Sequence, residues 1–132
     1  MEASAIVSIT LRATVSPTES PEKVLAAARN VLGNCAYQVE EEGGRIALRS
    51  REMGCLLKIH DQLRDRQVRA AANRLLLRMR DGRRVIMLLN RQASTAGVVA
   101  LCTSATESPL GPLVVEIESD KPETVIEWLT TH

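Results

Sequence analysis

Residues 90–112 begin Asn90-Arg91-Gln92-Ala93-Ser94-Thr95-Ala96-Gly97-Val98-Val99 and end, after a short polar insert, with Glu107-Ser108-Pro109-Leu110-Gly111-Pro112. This segment joins two strand-like runs of the chain. Its glycines and prolines occupy places that demand special backbone angles, because glycine tolerates a positive φ and proline fixes φ. Residues 109–112 therefore predict a tight connection between the last two strands.

The N-terminal part of the chain predicts a strand, a helix and a hairpin. Apolar and polar residues alternate from 6 to 15, which is typical of a strand with one buried face. Ser20 followed by Pro21 predicts the start of a helix, and Gly33-Asn34 predicts its end. Residues 35–50 have the pattern of a hairpin whose turn contains two glycines.

The middle of the chain, residues 52–80, repeats apolar residues at helical spacing, with a bend or break near Arg64-Asp65. Successive helical residues are about 100° apart, so Arg74 and Arg78 fall on one flank of the second half. The opposite flank carries Arg66, Arg69 and Arg80. Leu77 lies between the two flanks and opposite the apolar face, which indicates a contact with another subunit.

The remaining pattern predicts three strands and a final helix. Residues 85–89 are continuously apolar, which favours a central strand buried on both faces. Residues 98–103 and 113–117 predict the next two strands. Asp120 and Glu123 have the spacing of a capping box at the start of a helix.

The predicted order is strand, helix, two strands, a long helical segment, three strands and a helix. Strand pairs joined by short turns, with helices grouped together, predict an α+β fold. We expect a mostly antiparallel sheet with the helices packed on one face. At 132 residues the chain is expected to form a single domain over residues 1–132.

Composition limits the classes of function. Proteins that hold single-stranded nucleic acid stack bases on exposed aromatic rings, and this chain has only Tyr37 and Trp128. Cys35, Cys55 and Cys102 are odd in number and far apart, which favours small core residues over a disulfide or a zinc site. Without a signal peptide or a long apolar run, we expect a cytoplasmic protein that does not enter a membrane. No pattern of a cofactor or metal site is present, and we expect neither.

The net charge of +1 is unevenly distributed. Residues 64–91 contain nine arginines and two aspartates, whereas residues 92–132 contain six acidic residues and one lysine. This polarity indicates an anionic partner for the middle of the chain. The alternative is that the acidic C-terminal third neutralises the arginines within the molecule.

No catalytic constellation is recognisable. His60 has no partner at a useful spacing, and Ser94, which follows a buried strand, has no recognisable base nearby. Arg91 and Gln92 emerge from that strand, where they could hydrogen-bond a phosphate or a base edge. Alternatively, Asn90 and Gln92 only bond the irregular backbone that follows them.

The segment of residues 90–112 also resembles an archaeal protein family of unknown function whose members are regarded as RNA-binding. The resemblance is plainest through Asn90-Arg91-Gln92-Ala93, Ala96-Gly97-Val98-Val99 and Glu107-Ser108-Pro109-Leu110-Gly111-Pro112. It extends to Asp120-Lys121-Pro122, to Glu127-Trp128-Leu129 and to Ser16-Pro17-Thr18-Glu19 before the first helix. The resemblance implies a fold similar to large-subunit ribosomal protein five and to the double-stranded-RNA-binding domain, with RNA as the ligand.

Our leading hypothesis is a small homodimeric α+β protein, not an enzyme, that contacts structured RNA mainly through phosphates. The predicted RNA-contacting residues are Arg66, Arg69, Arg83, Arg84, Arg91 and Gln92. The alternative is a non-enzymatic protein-interaction or assembly module that forms a homodimer through Leu77. An enzyme with a pocket near residues 90–94 is a third hypothesis. The leading hypothesis requires the arginines to gather on one open side of the molecule.

Overall fold

The computed structural model describes residues 6–33, 35–65 and 67–131. The predicted helix end at Asn34 therefore falls partly outside the described residues. The helices and strands follow in the order β1 (Ile6–Thr14), α1 (Pro21–Val31), β2 (Gln38–Glu42), β3 (Arg45–Ser50), α2 (Leu57–Leu63), α3 (Arg69–Met79), β4 (Arg84–Leu89), α4 (Arg91–Thr95), β5 (Leu113–Ser119) and α5 (Pro122–Leu129). A 3₁₀ turn, Met53–Leu56, precedes α2.

The five strands form one antiparallel sheet in the order β2-β3-β1-β5-β4. The central strand is β1, whose alternating sequence buries one face. Leu11 of β1 is fully buried and lies opposite Leu48 of β3 and Val115 of β5. This register places apolar residues of neighbouring strands on one face of the sheet, because side chains alternate along a strand.

The core lies between that face and the helices. Residues such as Val24, Ile59, Leu76 and Ile126 bring four of the helices into one buried cluster with the strands. The other face of the sheet, here called the open face, carries mostly polar side chains. The predicted α+β fold, with an antiparallel sheet and helices on one face, is confirmed.

Two details of the predicted sheet are wrong. Residues 98–103 form a single bridge, between Leu101 and Leu89, in place of a strand. Two backbone bonds flank this bridge, from Asn90 N–H to the Ala100 carbonyl at 2.8 Å and from Cys102 N–H to the Leu88 carbonyl at 2.7 Å. The ladder does not continue past Asn90, because the chain turns into α4 at Arg91. Without a full neighbour, β4 is an edge strand and not a central one.

The prediction of three unpaired cysteines is also wrong, because Cys35 and Cys55 form a disulfide. The chain brings them together where α1 ends against the 3₁₀ turn. Gly33 N–H donates to the Cys55 carbonyl at 3.2 Å, and a Cβ on Gly33 would lie 2.3 Å from the Gly54 carbonyl oxygen. Only glycine therefore allows this approach. Cys102 is buried and unpaired, as predicted.

No helix among the described residues is long and apolar enough to cross a membrane.

Removing the disulfide tests this arrangement. The bond closes a loop between positions 20 residues apart, and a loop of this length limits the unfolded chain enough to contribute about 3 kcal/mol. The C35S/C55S variant should lose about that much free energy of unfolding in urea denaturation. Adding a phosphine reductant should lower the unfolding midpoint of the native protein and leave that of the variant unchanged. If the reductant does not change the unfolding midpoint of the native protein, the disulfide is contradicted.

Candidate nucleic-acid interface

The predicted RNA-contacting residues do not gather on one side of the molecule. Arg69 begins α3, whereas Arg84 lies on the open face of the sheet, beside Glu116 and Glu118. Arg91 lies inside the molecule, and Gln92 is exposed on α4. Arg66 lies outside the described residues. The requirement for one shared surface is therefore not met by the described members of this set.

Two arginines are paired with carboxylates of the acidic C-terminal third. Arg83 donates to Asp120, and Arg80 forms an ion pair with Glu123 of α5. The capping box predicted from Asp120 and Glu123 is therefore wrong. Asp120 pairs with Arg83, and the N-cap residue of α5 is Lys121. The alternative of neutralisation within the molecule holds for these two arginines.

Arg91 links three separate segments of the chain. Its side chain is only 6% exposed. Nε donates to the Gly111 carbonyl at 3.0 Å, and Nη1 donates to the Thr14 carbonyl at 2.8 Å and to Glu19 at 2.9 Å. The Arg91 backbone N–H donates to Ser108 Oγ at 3.0 Å. These bonds give Arg91 a structural role, and only its Nη2 has no hydrogen-bond partner among the described residues.

Glu19 is the anionic partner of this network. Burial alone would raise the pKa of the Glu19 carboxyl. The hydrogen bond from Ser16 N–H, the hydrogen bonds from Arg91 and the Arg91 charge outweigh burial and lower that pKa below its ordinary value of 4.5. Glu19 is therefore ionised at neutral pH and balances the buried guanidinium.

The residues around Arg91 also have structural roles. Asn90 is the N-cap of α4, and its side chain accepts a hydrogen bond from Ala93 N–H at 2.9 Å. Ser94 is fully buried and donates from Oγ to the Asn90 carbonyl at 2.9 Å. His60 is buried as well, with its ring stacked on Trp128 at a centroid distance of 4.2 Å. The structural interpretation of Asn90 is confirmed, and that of Gln92 stays a prediction.

Helix α3 carries two arginines that are exposed to solvent. Arg74 and Arg78 are exposed and one turn apart, and neither has a carboxylate within ion-pair distance among the described residues. They flank a cavity of about 540 Å³, here called the α3 groove, between α3 and residues 99–103. Its floor is apolar and includes Ala71, Ala72, Leu75, Val99 and Leu101.

Helical spacing had already placed Arg74 and Arg78 on one flank, and that assignment is confirmed. Both residues were nevertheless absent from the predicted site, because the sequence did not show that the opposite flank faces α5. On that flank Asn73 donates to Thr130 Oγ1 at 3.0 Å, and Arg80 pairs with Glu123. Arg74 and Arg78 thus lie on the flank of α3 that faces away from α5.

Comparison with known proteins fits this architecture. A family model described as RNA binding matches residues 8–119. The chain is 34% identical over 124 residues to a UPF0201 protein of Sulfolobus acidocaldarius, an alignment that covers 92% of this chain and 86% of the relative. The chain belongs to the UPF0201 family. It is also 33% identical over 124 residues to a UPF0201 protein of Sulfurisphaera tokodaii, an alignment that covers 92% of this chain and 86% of that relative.

The fold of this UPF0201 chain is similar to a solved one. The crystal structure of a UPF0201 protein from Methanococcus jannaschii superposes with a TM-score of 0.74 at 22% identity, covering 96% of this chain and 94% of that one. The family model and the sequence relatives confirm the family resemblance expected from residues 90–112, and the relatives are archaeal.

The Arg91–Glu19 pair predicts a defined dependence of stability on pH. The E19Q variant leaves a buried guanidinium without its counter-charge. Its free energy of unfolding at pH 7 should be about 3 kcal/mol lower than that of the native protein. Because the pKa of Glu19 is lowered by folding, its contribution is fully present above pH 4.5 and is lost as the pH falls through the folded-state pKa.

Urea denaturation of both proteins between pH 7 and pH 2.5 measures this difference. The difference in free energy of unfolding between the native protein and E19Q should decrease steadily below pH 4.5. A gap that stays constant, or that widens in acid, would show that the Glu19 charge does not stabilise the fold.

Proposed function

We propose that this protein is a non-enzymatic RNA-binding protein that contacts phosphates of structured RNA through α3. The contacting residues are Arg74 and Arg78. The proposal is supported by the family model, whose description is RNA binding. It moves the centre of the interface along α3, whereas Arg69, on the other flank of that helix, stays a prediction from the sequence.

The observation that carries the proposal is the charge of α3 itself. Residues 69–79 contain three arginines and no acidic residue. Guanidinium groups bind phosphate oxygens by paired, charge-assisted hydrogen bonds. Side chains four residues apart on a helix lie about 5–6 Å from each other at Cβ, so Arg74 and Arg78 can engage neighbouring phosphates of one strand.

Structured RNA fits this surface better than an unpaired strand. The Trp128 ring is stacked on His60, and Tyr37 is half-buried against the core and does not line the α3 groove. The α3 surface therefore has no aromatic ring on which a splayed base could stack. Recognition would depend on the spacing of phosphates and on the shape of the duplex.

Reversing the charge of α3 tests the proposal. The R74E/R78E variant should lose most of its affinity for a structured RNA hairpin at low salt. Each lost phosphate contact should also reduce the slope of log affinity against log salt by about 0.7–0.9. Filter binding or fluorescence anisotropy at several salt concentrations gives both quantities.

The matched control is K23E/R29E, which makes the same change of net charge on the exposed side of α1. It should bind RNA nearly as well as the native protein. No RNA binding by the native protein at low salt, or equal losses in the two variants, would refute the proposal.

A second candidate is a protein-interaction module that forms a homodimer. Leu77 on the exposed side of α3 is 48% exposed, and Val68 beside the α3 groove is 44% exposed. Exposed aliphatic side chains beside an apolar cavity are common at protein–protein contacts. This candidate requires self-association, which RNA binding alone does not.

The L77D variant separates the two candidates. If α3 forms the dimer contact, the native protein should have twice the mass of one chain by size exclusion with light scattering, and L77D should be monomeric. A native protein that is monomeric at high concentration, or an L77D dimer, would contradict this candidate.

A further inference from the structure

The open face of the sheet contains a cavity with a volume of about 610 Å³. We propose that this cavity, here called the open-face pocket, binds a small molecule that carries a phosphate and a planar ring, with a nucleoside monophosphate as the best match. Its lining residues with relevant chemistry are Tyr37, Arg49, Arg51, Ser8, Thr10 and Ser50. The pocket goes beyond the proposed RNA interface, because it lies on the opposite side of the sheet from α3.

The walls of the pocket are braced against each other. Ser50 Oγ donates to the Ala36 carbonyl at 2.7 Å, and Ala36 N–H donates to Glu52 Oε2 at 2.7 Å. Glu52 N–H in turn donates to Ser50 Oγ at 3.0 Å. The Cys35–Cys55 disulfide joins the same two segments, one residue before Ala36 and three residues after Glu52. A cavity held in this way needs little reorganisation to accept a ligand.

The charged groups of the pocket suit a single phosphate. Arg51 is exposed and has no carboxylate within ion-pair distance among the described residues. Arg49 is bonded to Glu40 at 3.3 Å, but both side chains are more than half exposed, so a phosphate can displace that carboxylate. The one acidic residue of the lining, Glu52, is already bonded to Ala36 N–H.

Tyr37 gives the pocket its preference for a planar ring. Tyr37 is half-buried, packs against the core and is also one of the residues that line the cavity. The hydroxyl groups of Ser8 and Thr10 line the floor and can bond a sugar or ring edge. A volume near 600 Å³ is ordinary for a site that encloses one small molecule.

A neighbouring hollow favours a free small molecule over a nucleic-acid strand. It shares Ser8, Thr10 and Arg49 with the pocket and is otherwise lined by Arg84, Glu116 and Glu118. The two carboxylates balance the two arginines of this hollow, and Glu116 also pairs with Arg12 at 2.6 Å. The hollow therefore has no net positive charge for a second phosphate along the sheet, whereas Arg51 can hold the first.

Isothermal titration with AMP, UMP, adenosine and inorganic phosphate tests the inference on the native protein. At least one of the two monophosphates should bind at sub-millimolar concentration, and adenosine and phosphate alone should bind at least tenfold more weakly. R51E should weaken binding at least tenfold. The control is R45E, at the start of β3 and outside the pocket, whereas Arg51 directly follows the end of β3. R45E should change binding less than twofold.

Three results would overturn the inference: no heat or spectral change with either monophosphate at 5 mM, equal binding of adenosine and AMP, or equal losses in R51E and R45E. Because Tyr37 contacts the core, its role is tested by Y37F and Y37L, with the urea midpoint measured alongside. Y37F should retain binding, and Y37L should lose it. R51E should leave RNA binding unchanged, so failure of this inference and failure of the RNA proposal are distinguishable.

Discussion

The fold depends on one buried guanidinium. Arg91 bonds the end of β1 through the Thr14 carbonyl, the entry to α1 through Glu19, and the turn before β5 through the Gly111 carbonyl. Burying a charge is costly unless it is paired and hydrogen-bonded, so these partners must be placed together for Arg91 to be tolerated inside. The turn supports this arrangement by unusual backbone angles: Leu110 has φ 66° and Gly111 has φ 88°. Leu110 is not glycine, and its left-handed conformation stores strain that the Arg91 network offsets.

This use of Arg91 explains why the charge of the chain is a poor guide to its interface. The middle of the sequence is strongly basic, but folding gives Arg80 and Arg83 carboxylate partners on the C-terminal segment and gives Arg91 a buried one. What remains exposed without a nearby carboxylate on α3 is the Arg74 and Arg78 pair. The electrostatic field that an RNA phosphate would meet is therefore set by one flank of one helix, and net charge summed along the chain overstates it.

Local patterns predicted local structure well. The alternation of β1, the start of α1 after Ser20 and the two flanks of α3 all follow from neighbours within a few residues, and the structure has them. The errors are all long-range. Nothing near Arg91 indicates partners 77 and 72 residues away, and nothing near Cys35 indicates that Gly33 and Gly54 allow a close approach of two segments. Residues 98–103 have a strand-like composition, but β4 ends at Leu89 and the chain turns into α4 at Arg91, which leaves residues 98 and 99 without a strand to pair with.

The two sides of the sheet thus carry different chemistry, with the arginines of α3 on one side and the braced open-face pocket on the other. The central claim is that Arg91 holds the fold while α3 meets RNA. Amide chemical-shift mapping by NMR, with a structured RNA hairpin added to ¹⁵N-labelled protein, tests it most directly. The account predicts shifts that centre on Arg74 and Arg78 and leave the amides of Arg91 and Gly111 in place. Shifts centred on residues 83–84 and 91–92, with α3 unchanged, would contradict it.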